Sequence, residues 1–196
     1  MKKALILSIL LLCSTVIAGD NISFAVKGGM VDNFSYPGFN LPQNNLDQKG
    51  LVGGQFFLKS PKYVDIILSM DYSWENKTYQ IDGQSFDLKT KDLSVSASLV
   101  YPVTIASLRF YGGGGVGTHS YSHEYYRPRS LSLEANNVTI PEVATYLGYH
   151  GIAGVQIPLL SLPGGLFVEG RYGRVALPDE DISYNNWTGG IFVNLP

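Results

Sequence analysis

Across residues 64–74 the chain alternates: Val64, Ile66, Leu68, Met70, Tyr72 and Trp74 form one set, and Asp65, Ile67, Ser69, Asp71 and Ser73 the other. A period of two belongs to a β-strand, whose successive side chains point to opposite faces. A helix would scatter both sets around its circumference. One face of this strand is therefore continuously apolar, and the other carries two carboxylates.

Seven further segments repeat the pattern, over residues 22–30, 52–59, 92–101, 108–117, 147–157, 166–173 and 186–195. No stretch holds a 3.6-residue period, and past residue 18 no apolar run is long enough for a membrane helix. The spacing thus predicts an all-β chain of eight strands. The connections alternate in length. Ser60-Pro61-Lys62, Pro102-Val103-Thr104 and the residues from Leu160 to Gly164 read as tight turns, whereas residues 32–50, 75–87, 120–144 and, more briefly, 177–182 read as longer polar loops. Short turns at one end and long loops at the other are the pattern of an up-and-down barrel of the bacterial outer membrane, with the long loops outside the cell.

The physics of hydrocarbon selects closure. No water there satisfies a free N–H or C=O, so strands cross a bilayer only as a sealed ring. Charged residues make up 15 % of the chain, below the roughly 25 % of soluble domains, which suits an exterior that meets lipid. A soluble eight-stranded barrel would instead turn its apolar faces inward. On the expected inward faces lie Lys27, Lys59, Arg109 and Arg171 with Asp65, Asp71, Asp92 and Glu169, a nearly balanced set that predicts a network of lumenal ion pairs. On the apolar faces, Tyr72, Trp74, Tyr149, Tyr172 and Trp187 fall near the long loops and Phe24, Phe56 and Tyr101 near the short turns, as two aromatic girdles would. The glycines at 112–115 and 117 precede neither a GK[ST] element nor a helix start, so they read as a bend that makes room for large lumenal side chains such as Tyr111.

The first 18 residues combine Lys2 and Lys3, an apolar middle, and Val16 and Ala18 at the −3 and −1 positions of a cleavage site. They read as a secretory signal peptide, with the barrel domain over residues 19–196. Cys13 is the only cysteine and lies in this leader, preceded by Leu12 rather than the small residue that lipidation requires. The mature part has no disulfide chemistry. The short lysine-led leader points to a bacterium, where the five Asn-x-Ser/Thr sequons carry no meaning. A formal charge of −2 offers nothing to nucleic acid.

The segments Tyr111-Gly112-Gly113-Gly114-Gly115-Val116-Gly117, Gly151-Ile152-Ala153-Gly154-Val155 and Phe167-Val168-Glu169-Gly170-Arg171-Tyr172, with the alternating last strand, resemble the small bacterial outer-membrane β-barrel superfamily of OmpA-, OmpX-, OmpW- and opacity-like proteins. The resemblance covers the whole mature chain and implies a barrel resident among outer-membrane lipid and lipopolysaccharide, delivered by the barrel-assembly machinery. It implies an envelope-structural or surface-adhesion role, with an OmpW-like narrow path for small apolar ligands, or lipid modification, as alternatives. Leu195 stands where such proteins commonly carry an outward Phe, and Pro196 follows it.

Candidate chemistry is sparse. His119, His123 and Glu124 form a His-x3-His pair with an adjacent carboxylate near Ser120 and Ser122, but the His-x-Ser of lipid A deacylases is absent. His150 falls on an inward face. Tyr121, Tyr125, Tyr126, Arg127 and Arg129 concentrate tyrosine and arginine on the third outer loop, a composition suited to a host molecule or lipopolysaccharide. No catalytic residue, metal site or cofactor is expected.

Overall fold

The structure, a computed structural model, describes residues 22–32, 49–60, 63–81, 84–126, 143–159, 162–176 and 181–195. The proposed leader and the loop residues Arg127 and Arg129 lie outside these. Eight strands follow one another: β1 (Ile22–Asp32), β2 (Lys49–Leu58), β3 (Asp65–Ile81), β4 (Gln84–Ile105), β5 (Leu108–Tyr126), β6 (Ala144–Pro158), β7 (Gly164–Val175) and β8 (Ile182–Asn194). Each pairs antiparallel with its neighbours, and β1 pairs with β8 from Ser23 opposite Asn194 to Asp32 opposite Asn185, closing the barrel.

The alternation sets the facing throughout. Val26, Met70, Val95, Val116, Val168 and Ile191 point outward and are exposed, while Lys27, Gln55, Asp71, Glu169 and Arg171 are buried inside. From Val64 to Trp74 the apolar outer face of β3 spans ten residue steps, about 33 Å along a strand. Tilted as barrel strands are, that gives a belt about 25 Å tall.

Glycines make room on both sides of the wall. A Cβ at the inward Gly154 would come within 2.4 Å of the Tyr111 ring, and one at Gly113 within 2.0 Å of the Leu99 carbonyl oxygen, so sharp coiling between β4 and β5 excludes any side chain there. The glycine run of β5 therefore serves curvature, and Tyr111 fills the lumen over a glycine of β6. Outside, the Trp74 indole lies over Gly50 and the Trp187 indole over Gly170.

Three expected boundaries differ, the first being that residues 120–126, expected to open a loop, continue β5. Residues 75–87 are mostly strand, because β3 and β4 stay paired from Asp65 opposite Val100 to Ile81 opposite Gln84. The outer face of this stretch turns polar at Asn76, Thr78, Asp87 and Lys89, so the ribbon has much of a loop's composition although Phe86 and Leu88 are buried on its inner face. The β4–β5 turn falls at Ala106 and Ser107, with Ala106 at φ 55°, and not at Pro102-Val103-Thr104. Val103 and Ile105 simply continue the outward apolar set of Tyr101.

Outward placement at mid-height makes a direct expectation. Met70→Arg should cost about 2–4 kcal/mol in urea unfolding from lipid vesicles, and Thr118→Arg, near the outer boundary, about 0–1 kcal/mol.

Candidate functional site: the stratified lumen and its outer rim

The inward residues stack in layers along the barrel axis. At the short-turn end Arg109 pairs with Asp65, while Asn194 accepts hydrogen bonds from Lys59 Nζ at 2.9 Å and Ser23 Oγ at 2.7 Å. Above lies an apolar layer of Ala25, Phe57, Ile67, Val100, Tyr111, Ile152, Phe167 and Phe192. Phe57 meets Tyr111, Phe167 and Phe192 edge-on, with centroids 5.8–6.4 Å apart. Such contacts fill the cross-section with apolar rings that are each 6 % exposed or less.

The middle layer is ionic and centred on Arg171. Its Nε donates to Glu169 Oε1 at 2.7 Å, Nη1 to Ser96 Oγ at 3.1 Å, and Nη2 to Ser69 Oγ at 2.7 Å and Gln55 Oε1 at 3.3 Å. Asp71 Oδ2 stands 3.6 Å from Nη1. The Lys27 ammonium lies 3.0 Å from Asp71 and 3.7 Å from Glu169, and Glu169 Oε2 accepts from Tyr111 Oη at 2.9 Å. Two cations thus face two carboxylates, with a fork of neutral acceptors taking the remaining guanidinium donors. The guanidinium is thus both paired and hydrogen-bonded, as a buried charge requires, while the Lys27 ammonium is held by ion pairs alone. Close by, His150 Nε2 lies 2.8 Å from Ser98 Oγ, in space that Gly115 leaves open.

Over this layer sits a cavity of about 20 Å³ lined by Asp71, Ser73, Asp92, His119, Arg171 and Asn186 among others, room for about one water molecule. His119 Nδ1 is 2.9 Å from Asp92 Oδ2. A second apolar layer of Val31, Leu51, Tyr121, Val175, Ile182 and Tyr184, with Tyr146 against it, seals the lumen toward the long-loop end. Beyond that, Lys49 faces Glu75 at 3.7 Å and Thr90 meets His123 at 3.2 Å.

The eight charged residues singled out from sequence all face inward, but in three groups: Lys59, Asp65 and Arg109 at the lower rim, Lys27, Asp71, Glu169 and Arg171 in the middle, and Asp92 on His119 above. Sequence reasoning missed Gln55, Ser69 and Tyr111 as members of the central group, although the two-residue period already put each of them inside. Tyr121 is a correction. It lies on β5 fully buried, ten residues and hence an even number of steps from the inward Tyr111, and it is not on an outer loop. Tyr125 and Tyr126 end β5 and are exposed, at 50 % and 85 %. His123 and Glu124 point apart, Glu124 turning outward to pair with Lys91. Among the described residues no three His, Cys, Asp or Glu gather as metal ligands.

The aromatic sets face outward. Tyr72 stacks on Trp74 with centroids 5.7 Å apart, Phe24 contacts Phe56 at 5.1 Å, and Tyr101, Tyr149, Tyr172 and Trp187 are all more than half exposed.

No family model matches the chain, and no curated protein matches it. Among solved structures it is similar to neisserial surface protein A, at 13 % identity and a TM-score of 0.57 over 89 % of this chain and 97 % of that one. OprG from Pseudomonas aeruginosa gives 14 % identity and a TM-score of 0.46 over 88 % and 96 %. Ail, the attachment invasion locus protein of Yersinia pestis, was solved in complex with the heparin analogue sucrose octasulfate and gives 17 % and 0.43 over 87 % and 96 %. The likeness to neisserial surface protein A shows that the fold is that of the small eight-stranded barrels.

Proposed function

We propose that the chain is a non-enzymatic outer-membrane β-barrel of a bacterium, exported on the leader over residues 1–18 and exposing its long-loop end for envelope-structural or surface-binding contacts. The observation that carries this reading is the inverted distribution of polarity. Charges are inside and paired, while the outer wall from Val64 to Trp74 and its counterparts on the other strands is apolar and exposed. Only a lipid solvent makes that arrangement stable.

The apolar layers on either side of the ionic one oppose the narrow-channel reading, because each would have to part before an ion could pass. The lipid-modifying reading finds no support in His119, which is held on Asp92 beneath Tyr121 and Tyr184. Surface binding is favoured by the hairpin of β3 and β4 and the end of β5, which rise above Trp74. There Phe86 is buried against Tyr79 and Tyr125, with centroids 6.1 and 6.2 Å away, giving the projection a small core of its own. Tyr125 and Tyr126 at its edge are the described residues best placed to meet a host or surface ligand.

Expressed in a Gram-negative host, the protein should fractionate with the outer membrane and change gel mobility on boiling, and a cysteine at Tyr126 should react with an impermeant maleimide on intact cells. A soluble product without a mobility shift would contradict the reading. The ionic layer is proposed as structural. Arg171→Met leaves Glu169 and Asp71 undercompensated and should lose about 3–5 kcal/mol of stability; an unchanged urea midpoint in vesicles would remove that role.

A further inference from the structure

On the outer wall between the apolar belt and the long-loop end, Arg174 of β7 faces outward, opposite Tyr149 of β6 and Ser183 of β8 and next above Tyr172 on its own strand. Arg174 and Ser183 lie within hydrogen-bonding reach of the Tyr172 hydroxyl, and Arg174 also of the Tyr149 hydroxyl. A guanidinium has five N–H donors and no acceptor. Two phenol oxygens do not use them up, and each phenol keeps its own O–H to donate.

The cluster therefore presents donors and one positive charge, and among the described residues no carboxylate is paired with Arg174. It stands where the exposed rings of Tyr149 and Tyr172 meet the boundary, the height at which lipid headgroups lie. Resting on the membrane reading above, we infer that Arg174, Tyr149 and Tyr172 form a binding site for the phosphate of an outer-leaflet lipid. Planar forked donors suit a phosphate better than a carbonyl or a choline group would. The acyl chains of such a lipid would run down the apolar wall below, along Gly151 and Val168. The competing role for Arg174 is a purely structural one, holding the Tyr149 and Tyr172 rings in place, which predicts no lipid preference.

The test uses the full chain in phosphatidylcholine nanodiscs supplemented with either phosphatidic acid or diacylglycerol, followed by native mass spectrometry of co-retained lipid. Wild type should retain phosphatidic acid about tenfold over diacylglycerol, as one charge-assisted forked contact would give. R174Q should lose the preference and R174K should keep part of it. Excess inorganic phosphate should not displace the lipid, since the acyl chains hold it. Equal retention of both lipids by wild type, an undiminished preference in R174Q, or displacement by free phosphate would each overturn the assignment. Heat-dependent mobility of R174Q in the same nanodiscs separates these results from failure of the membrane reading, because a chain that does not insert shows no shift.

Discussion

A peptide N–H or C=O stranded in hydrocarbon costs several kcal/mol, and pairing β1 with β8 over ten residue pairs removes the only two edges this sheet could have had. Everything else follows from that closure. A ring of eight strands encloses a space narrow enough to be filled by side chains, so each strand must offer lipid-compatible residues on one face and a packed interior on the other. Glycines at 113, 115, 154 and 190 let the wall coil tightly enough to close while leaving room for Tyr111, His150 and Phe167.

The interior solves a second problem. Lys27, Asp71, Glu169 and Arg171 are each 5 % exposed or less, and a buried charge is tolerated only when paired and hydrogen-bonded. The four come from three strands, β1, β3 and β7, and are joined by Gln55 of β2, Ser69 of β3, Ser96 of β4 and Tyr111 of β5. Cross-ring contacts of this kind tie opposite walls together, which backbone pairing between neighbours cannot do. Apolar layers lie above and below this ionic layer, so its hydrogen bonds are made in a setting of low polarity.

The two-residue period made most of this architecture legible, because in a barrel the face of every residue follows from parity alone. Lys27, Asp71 and Arg171 could be placed inside and Leu68, Val155 and Trp187 outside without a structure. Parity does not tell which inward residues share a layer, and so the eight charges look like one network in sequence and form three groups in space. It also fails to mark where strands end above the membrane. Residues 75–81 and 84–91 carry a polar outer face and only a short inward apolar set of Tyr79, Phe86 and Leu88, and it is the packing of Phe86 with Tyr79 and Tyr125 that reveals them as a ribbon. Tyr121 reads as a loop residue for a related reason, since its run of Ser, Tyr and His has the composition of a turn while its parity continues that of Tyr111.

The direction of the apolar face is the claim on which the account stands, and lipid-depth quenching measures it. With Trp74 and Trp187 replaced by Phe, a single tryptophan at the outward Val168 or at the adjacent inward Phe167 reports its depth in vesicles of brominated lipid. Strong quenching at 168 with little at 167 is the predicted result. Quenching at 167 with none at 168 would mean that the barrel holds its apolar side within, and would contradict the account.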